Sequence, residues 1–438
     1  MSPLRFPEGF LWGSATSAHQ VEGQNTNNQW WAWEQQPGHI WNNDVSGDAC
    51  GWWRDARPDL DRAAALGQNA HRMSVEWSRI EPRDGEFDKG AIRRYREIVE
   101  QMLERGLKPM ITLHHFTHPL WIEARGGWLH PDTPRRFGRY VRYVVTELRD
   151  LCDLWCTINE PLIYAGMSYQ LGRWPPGWRN PRAALKVVAA MLRGHAIASD
   201  VIHSVHPALR VGLVHNLRIV EPATPRTLDV LPAWLIDYLS SGAFLWSLAT
   251  GRLMPPFGNG LRELPGLRDS CDFLGLNYYT RDVVAFDWRA RGLVRFDIPA
   301  GLPFSDIGGN GRSYGEIYAH GAYRALHRLA GFKKPIYITE TGLPDEDDDQ
   351  RPQFLLSHLA AVHKAISEGI DVRGVFHWSL LDNFEWADGW GLRFGLYAFD
   401  HRTGERRLRP SGALYAVIAR ANAIPDLESH HHHYGGPI

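Results

Sequence analysis

Short apolar runs alternate with longer amphipathic stretches along the chain. The short runs are rich in Val, Ile, Leu and aromatic residues, which is typical of strands that are buried on both faces. They lie at residues 10–15, 69–76, 108–113, 154–159, 210–215, 273–277, 336–340 and 374–377. The pattern therefore predicts eight strands.

The stretches between these runs have the period of helices. At 91–105, 134–151 and 354–366, apolar residues return every three or four positions, and Gly106 follows the first stretch where a C-terminal cap belongs. Strands that alternate with helices predict a parallel sheet, and eight such units predict a closed (β/α)8 TIM barrel with its active site at the C-terminal ends of the strands. No low-complexity linker divides the chain. We expect a single barrel domain over residues 1–424, loops at 305–315 and 345–349, and a disordered His-containing tail over 425–438.

Composition and charge exclude several kinds of partner. The 438 residues are 44% hydrophobic and 22% charged, as in globular proteins. A net charge of −1 and a pI near 7.1 argue against nucleic acid or an anionic membrane as the main partner. No apolar stretch reaches membrane-spanning length and no signal sequence is evident, so a cytoplasmic protein is expected. The four cysteines have no zinc spacing and are expected to be reduced, and no metal or cofactor motif appears.

Two of the apolar runs end in a glutamate. Glu160 follows the run at 154–159 and precedes Pro161, which cannot continue a strand ladder; Glu340 ends another run, and Gly342 follows it. In a barrel both carboxyls would lie at the same rim. Cleavage of a glycosidic bond requires such a pair, because one carboxyl protonates the leaving oxygen and the other attacks or activates water. Either glutamate alone could merely edge a sheet.

Other polar and aromatic side chains lie near the strand ends. They are Gln20, Arg72, His115, Asn159, Asn277, Tyr279, Trp378, Glu385 and Trp386. Amides, imidazole, carboxylates and indoles together suit a polyhydroxylated ligand, which needs hydrogen bonds and a stacking surface. Gln20 or His115 alone could equally be an ordinary loop residue. Arg72 is more informative, because a guanidinium within a buried strand requires an anionic partner.

The ordered motifs resemble those of glycoside hydrolase family 1, the β-glucosidase family. The matching stretches are FPEGFLWG at 6–13, ATSAHQVEG at 15–23, WSRIEP at 77–82, TINEP at 157–161, DFLGLNYY at 272–279 and WSLLDNFEW at 378–386. They cover nearly the whole chain. The resemblance implies a retaining β-glycosidase that acts on terminal β-D-glucosides, and also on galactosides or fucosides, without a cofactor.

The resemblance also implies residue roles. Glu160 would be the acid/base, with a raised pKa to which the anionic Glu340 contributes, and Glu340 would be the nucleophile, about 5–5.5 Å from Glu160 as in retaining enzymes. The residues that would bind the glycone hydroxyls are Gln20, His115, Asn159, Glu385 and Trp386, with Trp378 as the stacking floor. Those that would hold the nucleophile and the 2-hydroxyl region are Arg72, Asn277 and Tyr279.

The chain departs from relatives at informative positions. Family members that act on 6-phosphorylated sugars have a serine and a lysine where this chain has Glu385 and Trp386. A carboxylate there would repel phosphate, so the resemblance favours small neutral glycosides or β-linked oligosaccharides. Thr341 stands where the family usually has Asn, and the segment 51–55 (GWWRD) differs from the usual tyrosine-rich version.

Three other interpretations of the sequence are possible. The residues 311–315 (GRSYG) match the G-x-S-x-G elbow of serine hydrolases, but the preceding residues read as a loop rather than a strand. A sugar-binding barrel without catalysis is disfavoured because both glutamates are present. Transfer to another sugar would use the same residues as hydrolysis. The sequence leaves this balance open, as it does the glycone preference and the oligomeric state.

Overall fold

The computed structural model describes residues 3–425, apart from 291, 298–303 and 306–312. Eight parallel strands close into a barrel, each paired with the next and the last with the first. They are β1 (Leu11–Ala15), β2 (Ala70–Ser74), β3 (Lys108–His114), β4 (Leu154–Asn159), β5 (Arg210–Asn216), β6 (Phe273–Asn277), β7 (Ile336–Thr341) and β8 (Val372–Trp378). The predicted TIM barrel is confirmed, and every predicted strand is present with bounds within two residues.

A helix of eight or more residues completes the unit that begins with each barrel strand. The eight helices are α1 (Arg57–Ala65), α2 (Lys89–Glu104), α3 (Thr133–Leu148), α4 (Pro181–Val205), α5 (Ala243–Thr250), α6 (Ala319–Ala330), α7 (Arg351–Ser367) and α8 (Pro410–Ala421). The stretches predicted from periodicity correspond to α2, α3 and α7. Helix α2 illustrates why: Asp88 caps its N-terminus by accepting bonds from Gly90 and Ala91, and Gly106 takes the left-handed φ of +70° after its end.

Additional elements lie between the strands and helices of the barrel. The short helices are Ala18–Val21, Gln29–Glu34, Trp77–Ile80, Leu120–Glu123, Pro161–Ala165 and Thr227–Asp237, with 3₁₀ turns at Trp41–Asn43, Gly127–Leu129 and Trp386–Asp388 and π-helical turns at Gly166–Gln170 and Tyr238–Gly242. Ile219–Pro222, Arg281–Phe286 and Val294–Asp297 form a three-stranded sheet, Tyr397–Phe399 pairs with Arg406–Leu408, and Leu4–Arg5 pairs with Ala423–Ile424. Most of the short helices follow the C-terminal end of a barrel strand, so they build up that rim.

The interior of the barrel is packed with side chains. Two glycines make this possible, because the ring of Phe376 lies 2.6 Å from where a Cβ of Gly13 would be and the ring of Phe273 lies 2.2 Å from that of Gly212. The larger part of the core lies between the strands and the surrounding helices. Because aromatic rings fill the barrel interior, buried polar groups can be held above this filling, at the C-terminal rim.

The cysteines, the absence of a membrane-spanning stretch and the loops can be compared with the predictions from the sequence. The four cysteines are buried and form no disulfide. Over the described ranges, no helix is long and apolar enough to cross a membrane. Residues 345–349 form the predicted loop, whereas most of 305–315 and the predicted tail beyond residue 425 lie outside the described residues.

Candidate active site

Glu160 and Glu340 both lie buried at the C-terminal ends of barrel strands. Glu340 is the fifth residue of β7. Glu160 comes directly after β4 and has a left-handed backbone, with φ 45° and ψ 62°, before Pro161 begins a short helix. This conformation is costly for a residue with a Cβ, and such strain is retained where it serves a site.

Both carboxylate oxygens of Glu340 accept a hydrogen bond. The Nη1 of Arg72 donates to Oε1 over 2.6 Å, and the hydroxyl of Tyr279 donates to Oε2 over 2.7 Å. A buried guanidinium and a hydroxyl that both donate to one carboxylate stabilise its negative charge. An anionic carboxylate is the form that can attack an electrophilic carbon.

Arg72 is itself fixed by several strands. It is buried in β2, where its Nε donates to Thr112 over 3.1 Å, its Nη2 to Asn159 over 2.8 Å and its Nη1 also to the carbonyl of Thr339 over 3.2 Å. The ionic partner that the sequence requires for this arginine is therefore Glu340. Because residues of three other barrel strands bind the three guanidinium nitrogens, the positive charge is held in one place beside Glu340.

Glu160 receives its hydrogen bonds from two amides. The Nδ2 of Asn277 donates to Oε1 over 2.6 Å, and the Nδ2 of Asn216 donates to the same oxygen over 3.0 Å. Burial, followed by the negative charge of Glu340, raises the pKa of Glu160 to about 8, although the two amides oppose the shift. At neutral pH this carboxyl is therefore mostly protonated and can donate a proton. The sequence predicted the contribution of Glu340, but burial is the larger cause.

Asn277 and Asn159 connect the two carboxyls. Thr339 donates to the Oδ1 of Asn277 over 2.7 Å, while the Nδ2 of Asn277 also lies 3.2 Å from the Oδ1 of Asn159. The Nδ2 of Asn159 lies 3.2 Å from the Nε2 of His115. One network of hydrogen bonds thus links the surroundings of Glu340 to those of Glu160 and extends to His115.

The remaining predicted residues gather beside this network. The Nε2 of Gln20 donates to Glu385 over 3.1 Å and to Asn383 over 2.9 Å. The ring of His115 is nearly parallel to those of Trp378 and Trp386, with centroids 5.9 and 6.1 Å away. Polar tips and flat aromatic faces therefore share one buried corner, an arrangement that matches the hydroxyls and C–H faces of a sugar ring.

Glu385 differs from the expectation on which its role was argued. Burial, and then the acidic Asp388, raise its pKa to about 8. Its carboxyl is mostly neutral at pH 7, so repulsion of a phosphate by a charged Glu385 is weaker than the sequence suggested. Burial is the largest cause of this rise in pKa, and the charged groups that add to it, Asp388 and Glu340, are both acidic.

Sequence reasoning missed one contributor to the site, Asn216, and gave no role to another, Asp382 of the motif at 378–386. Asn216 ends β5, and its signal was the one used for the other strands, a polar residue where an apolar run stops. Asp382 supports the loop that carries Asn383 and Glu385, since it receives two hydrogen bonds from Arg409 over 2.8 and 3.0 Å. Its partner is distant in sequence, so no local pattern could indicate the pair.

Other residues singled out in the sequence lie outside this cluster. Thr341 faces α7 rather than the barrel centre: it borders a small cavity with His358 and His377, and its hydroxyl has no hydrogen-bond partner. In segment 51–55, the Trp52 indole is buried away from the cluster and donates to Asp59 over 2.9 Å. Ser313 donates to the carbonyl of Ser305 and contacts no described histidine, so the serine-hydrolase interpretation gains no support.

One acidic cluster was not expected. The carboxylates of Asp345, Asp347 and Asp349 approach within 4.8 Å of one another, although the sequence suggested only a loop. Asp345 accepts bonds from the backbone N–H groups of Gln350 and Arg351 at the start of α7. Capping of a helix N-terminus accounts for that carboxylate.

Comparison with known proteins matches this geometry to one family. The model of glycosyl hydrolase family 1 matches residues 2–424. The chain belongs to this family. It is 31% identical to the β-glucosidase A of Thermotoga maritima over 97% of this chain and 100% of that protein. It is also 31% identical to a β-galactosidase of Sulfolobus acidocaldarius over 98% of this chain and 97% of that protein.

A solved family 1 structure has the same architecture. The β-glycosidase from Pyrococcus horikoshii superposes with a TM-score of 0.89 at 38% identity, over 100% of this chain and 99% of that one. The family 1 match spans all eight barrel strands and both strand-end carboxyls. The protein is thus a β-glycosidase-type hydrolase of family 1, whose members act with retention of configuration.

Proposed function

We propose that this family 1 enzyme hydrolyses terminal β-D-glucosides, and β-D-galactosides or fucosides as well, with Glu340 as the nucleophile and Glu160 as the acid/base. The observation that carries the assignment is the difference in hydrogen-bond donors. A guanidinium and a phenol hold Glu340, whereas Glu160 has only amide donors and a pKa of about 8. The nucleophile must be an anion and the acid must carry a proton, and these different surroundings favour those two states.

The first step forms a glycosyl-enzyme. An oxygen of Glu340 attacks the anomeric carbon while the bond from that carbon to the glycosidic oxygen breaks. The leaving oxygen takes the proton of Glu160, so the aglycone departs as a neutral alcohol and Glu160 becomes an anion. Asn216 and Asn277 stabilise that anion, since each already donates to its Oε1.

The second step returns the enzyme to its starting state. Glu160 removes a proton from a water molecule, which attacks the anomeric carbon and displaces the carboxylate of Glu340. The sugar leaves with its original β configuration after two inversions. Arg72 and Tyr279 then hold the released carboxylate again.

The glycone is bound in the buried corner. The proposed hydroxyl ligands are Gln20, His115, Asn159, Glu385 and Trp386, with Trp378 as the floor. A mostly neutral Glu385 can both donate to and accept from sugar hydroxyls, which suits more than one epimer at O4. The names of the relatives, β-glucosidase and β-galactosidase, agree with such tolerance. We propose neutral glycosides as substrates, because the two charged groups that act on Glu385, Asp388 and Glu340, are both acidic and would repel an anionic glycone.

Chemical rescue tests the assignment. The wild type and Glu340→Ala are assayed on a panel of aryl β-glycosides, and azide is added to the variant. We expect the variant to be inactive alone and to form an α-glycosyl azide with azide, because the small anion attacks in place of the missing carboxylate. A β-glycosyl azide, or no rescue, would contradict the nucleophile assignment.

Wild-type rates on the panel rank the glycones, and added acceptor sugars measure transfer against hydrolysis. A wild type that binds sugars without turnover would favour a binding protein.

We make two further proposals, on location and on domain organisation. We propose a cytoplasmic location, supported by four buried cysteines that are all reduced. We also propose that residues 1–424 act as one domain, supported by a family match that runs from 2 to 424 without interruption. Fractionation of cells and limited proteolysis test these proposals.

A further inference from the structure

A cavity of about 770 Å³ lies at the rim of the barrel, outside the buried corner. It is lined by the loops that follow β1, β4, β6 and β8, so it lies where the C-terminal ends of the strands open towards solvent. Two contacts place it beside the proposed site. Tyr314 lines the cavity and packs 5.5 Å from the ring of Tyr279, and Trp174 of the β4 loop packs 5.9 Å from Trp386. A glycoside whose glycone occupies the corner would extend its aglycone into this cavity.

The cavity wall carries two exposed arginines, Arg173 and Arg179. Neither makes an ion pair or a side-chain hydrogen bond with any residue in the described ranges. Other arginines near the barrel rim, such as Arg72 and Arg79, do pair with a carboxylate. Among the described residues that line the cavity, one is acidic, Asp388. The two guanidinium groups therefore leave a net positive charge on the wall.

The loop that carries these arginines is held in place. The N–H of Arg173 donates to the carbonyl of Met167 over 2.9 Å, and the N–H of Trp178 donates to the carbonyl of Ser168 over 3.0 Å. Within the loop, Trp174 is buried against Trp30 with ring centroids 5.3 Å apart. Because the backbone on either side of Arg173 is fixed, binding of an anion would order its side chain but would not have to order the loop.

The same cavity offers flat apolar surface. Trp33 and Trp41 line it, and Trp33 stacks on His39 with centroids 3.6 Å apart. Trp41 is 38% exposed. Aromatic faces stack on aromatic or sugar rings, and unpaired guanidinium groups bind carboxylates and similar oxyanions through paired N–H groups. The wall thus matches a ring that carries a negative charge.

We infer that the enzyme prefers β-glycosides whose aglycone carries an anionic group, bound by Arg173 and Arg179. This inference rests on the proposed function, since it assigns the aglycone side of the same site. The anion could be the carboxylate of an aromatic acid or that of a uronic acid. Both would offer a ring for Trp33 or Trp41 and an oxyanion for the arginines.

A matched pair of substrates tests the preference. The 4-(carboxymethyl)phenyl and 4-(carbamoylmethyl)phenyl β-D-glucosides have leaving groups of similar acidity, because the methylene insulates the phenol, but only the first is charged. An exposed charge pair at 4 Å is worth about 1 kcal/mol in water. With one or both arginines engaged, we expect kcat/KM at low salt to be about fivefold to thirtyfold higher for the acid, mainly through KM. The preference should shrink in 0.5 M salt.

Variants distinguish the effect of the two cavity arginines on the substrate preference from the effect of the overall charge of the protein. Arg173→Ala combined with Arg179→Ala should bring the ratio of acid to amide close to one, and Arg179→Glu should invert it. Arg182→Ala is the matched control: Arg182 is exposed on α4, three residues from Arg179, and does not line the cavity. It should keep the wild-type ratio. Turnover of the neutral amide glucoside shows that each variant is folded.

Two outcomes would overturn the inference: a wild-type ratio of charged to neutral substrate of one for both the aryl glucosides and the disaccharides named below, or a ratio that survives the double variant. Binding of both glucosides to Glu340→Gln, measured by calorimetry, reads the preference without turnover. Failure of the proposed function therefore remains distinguishable from failure of the inference. To separate the two sources of the anion, cellobiose is compared with glucosyl-β-1,4-glucuronic acid. A preference confined to the aryl pair identifies an aromatic acid, and one confined to the disaccharides a uronic acid.

Discussion

The ends of β4 and β7 look alike in sequence and differ in structure. Each is an apolar strand that stops at a glutamate. In space, Glu340 lies between a guanidinium and a phenol hydroxyl, whereas Glu160 accepts hydrogen bonds from two neutral amides. The donors come from elsewhere in the chain: Arg72 is 268 residues from Glu340, and Asn277 is 117 residues from Glu160. The strand end supplies a carboxyl, and its neighbours in the barrel decide whether that carboxyl is an anion or an acid.

The largest effect is expected when each carboxyl is replaced by an amide. Glu340→Gln should lower kcat by at least about 10⁴-fold on every aryl glucoside, because no covalent intermediate can form. Glu160→Gln should lower the first step by about 10²–10⁴-fold on phenyl glucoside but little on dinitrophenyl glucoside, whose leaving group needs no proton. Pre-steady-state rates on both substrates check this. Equal losses on both substrates for Glu160→Gln would contradict the assignment.

A smaller effect is expected from the phenol beside Glu340. Tyr279→Phe removes one of the two donors to the carboxylate, and a hydrogen bond to a charged group is worth about 1.5–3 kcal/mol. We expect kcat/KM to fall by about 10- to 150-fold. Tyr278→Phe is the matched control, because the hydroxyl of Tyr278 donates to the carbonyl of Tyr318 and not to the site. It should cost stability and leave activity near the wild-type value, and an equal loss in both variants would point to a structural effect.

The amides beside Glu160 predict a pH effect. The acid must be protonated, and its pKa is about 8, so kcat/KM should fall as the pH rises through about 8. Asn216→Ala removes a donor that favours the ionised form, so the pKa of Glu160 should rise and this basic limb should move to higher pH. Profiles of kcat/KM for the wild type and the variant check the direction. A limb that stays in place, or moves to lower pH, would mean that another group sets it.

The residue after each carboxyl gives the smallest effect. Pro161 starts a helix, whereas the hydroxyl of Thr341 is buried without a partner and faces α7. A buried unpaired hydroxyl costs about 1–3 kcal/mol, so Thr341→Val should raise the free energy of unfolding by about 1 kcal/mol. Activity should stay within about twofold, since the side chain points away from the site. Urea unfolding measures the change, and destabilisation would show that the hydroxyl has a stabilising contact.

The sequence predicts the barrel well for a physical reason. Strands of a parallel barrel are buried on both faces, so each is a continuous apolar run such as β4 or β6, and polar residues at the run ends mark the rim. The state of charge at that rim is less predictable. The pKa of Glu385 depends on how deeply the folded chain buries it, and the role of Asn216 depends on its distance from Glu160. The three-stranded sheet was missed because its strands are short and half exposed.

Arg72 has a consequence for how activity appears during folding. It lies on β2, and the groups that fix it lie on β3, β4 and β7, on both sides of the ring of strands. Only a ring that has closed through β8 and β1 brings β7 round to β2. An open or half-assembled sheet leaves Glu340 without its guanidinium. Recovery of turnover after denaturation therefore reports only molecules whose barrel has closed. It should lag behind the recovery of the circular dichroism signal of the helices.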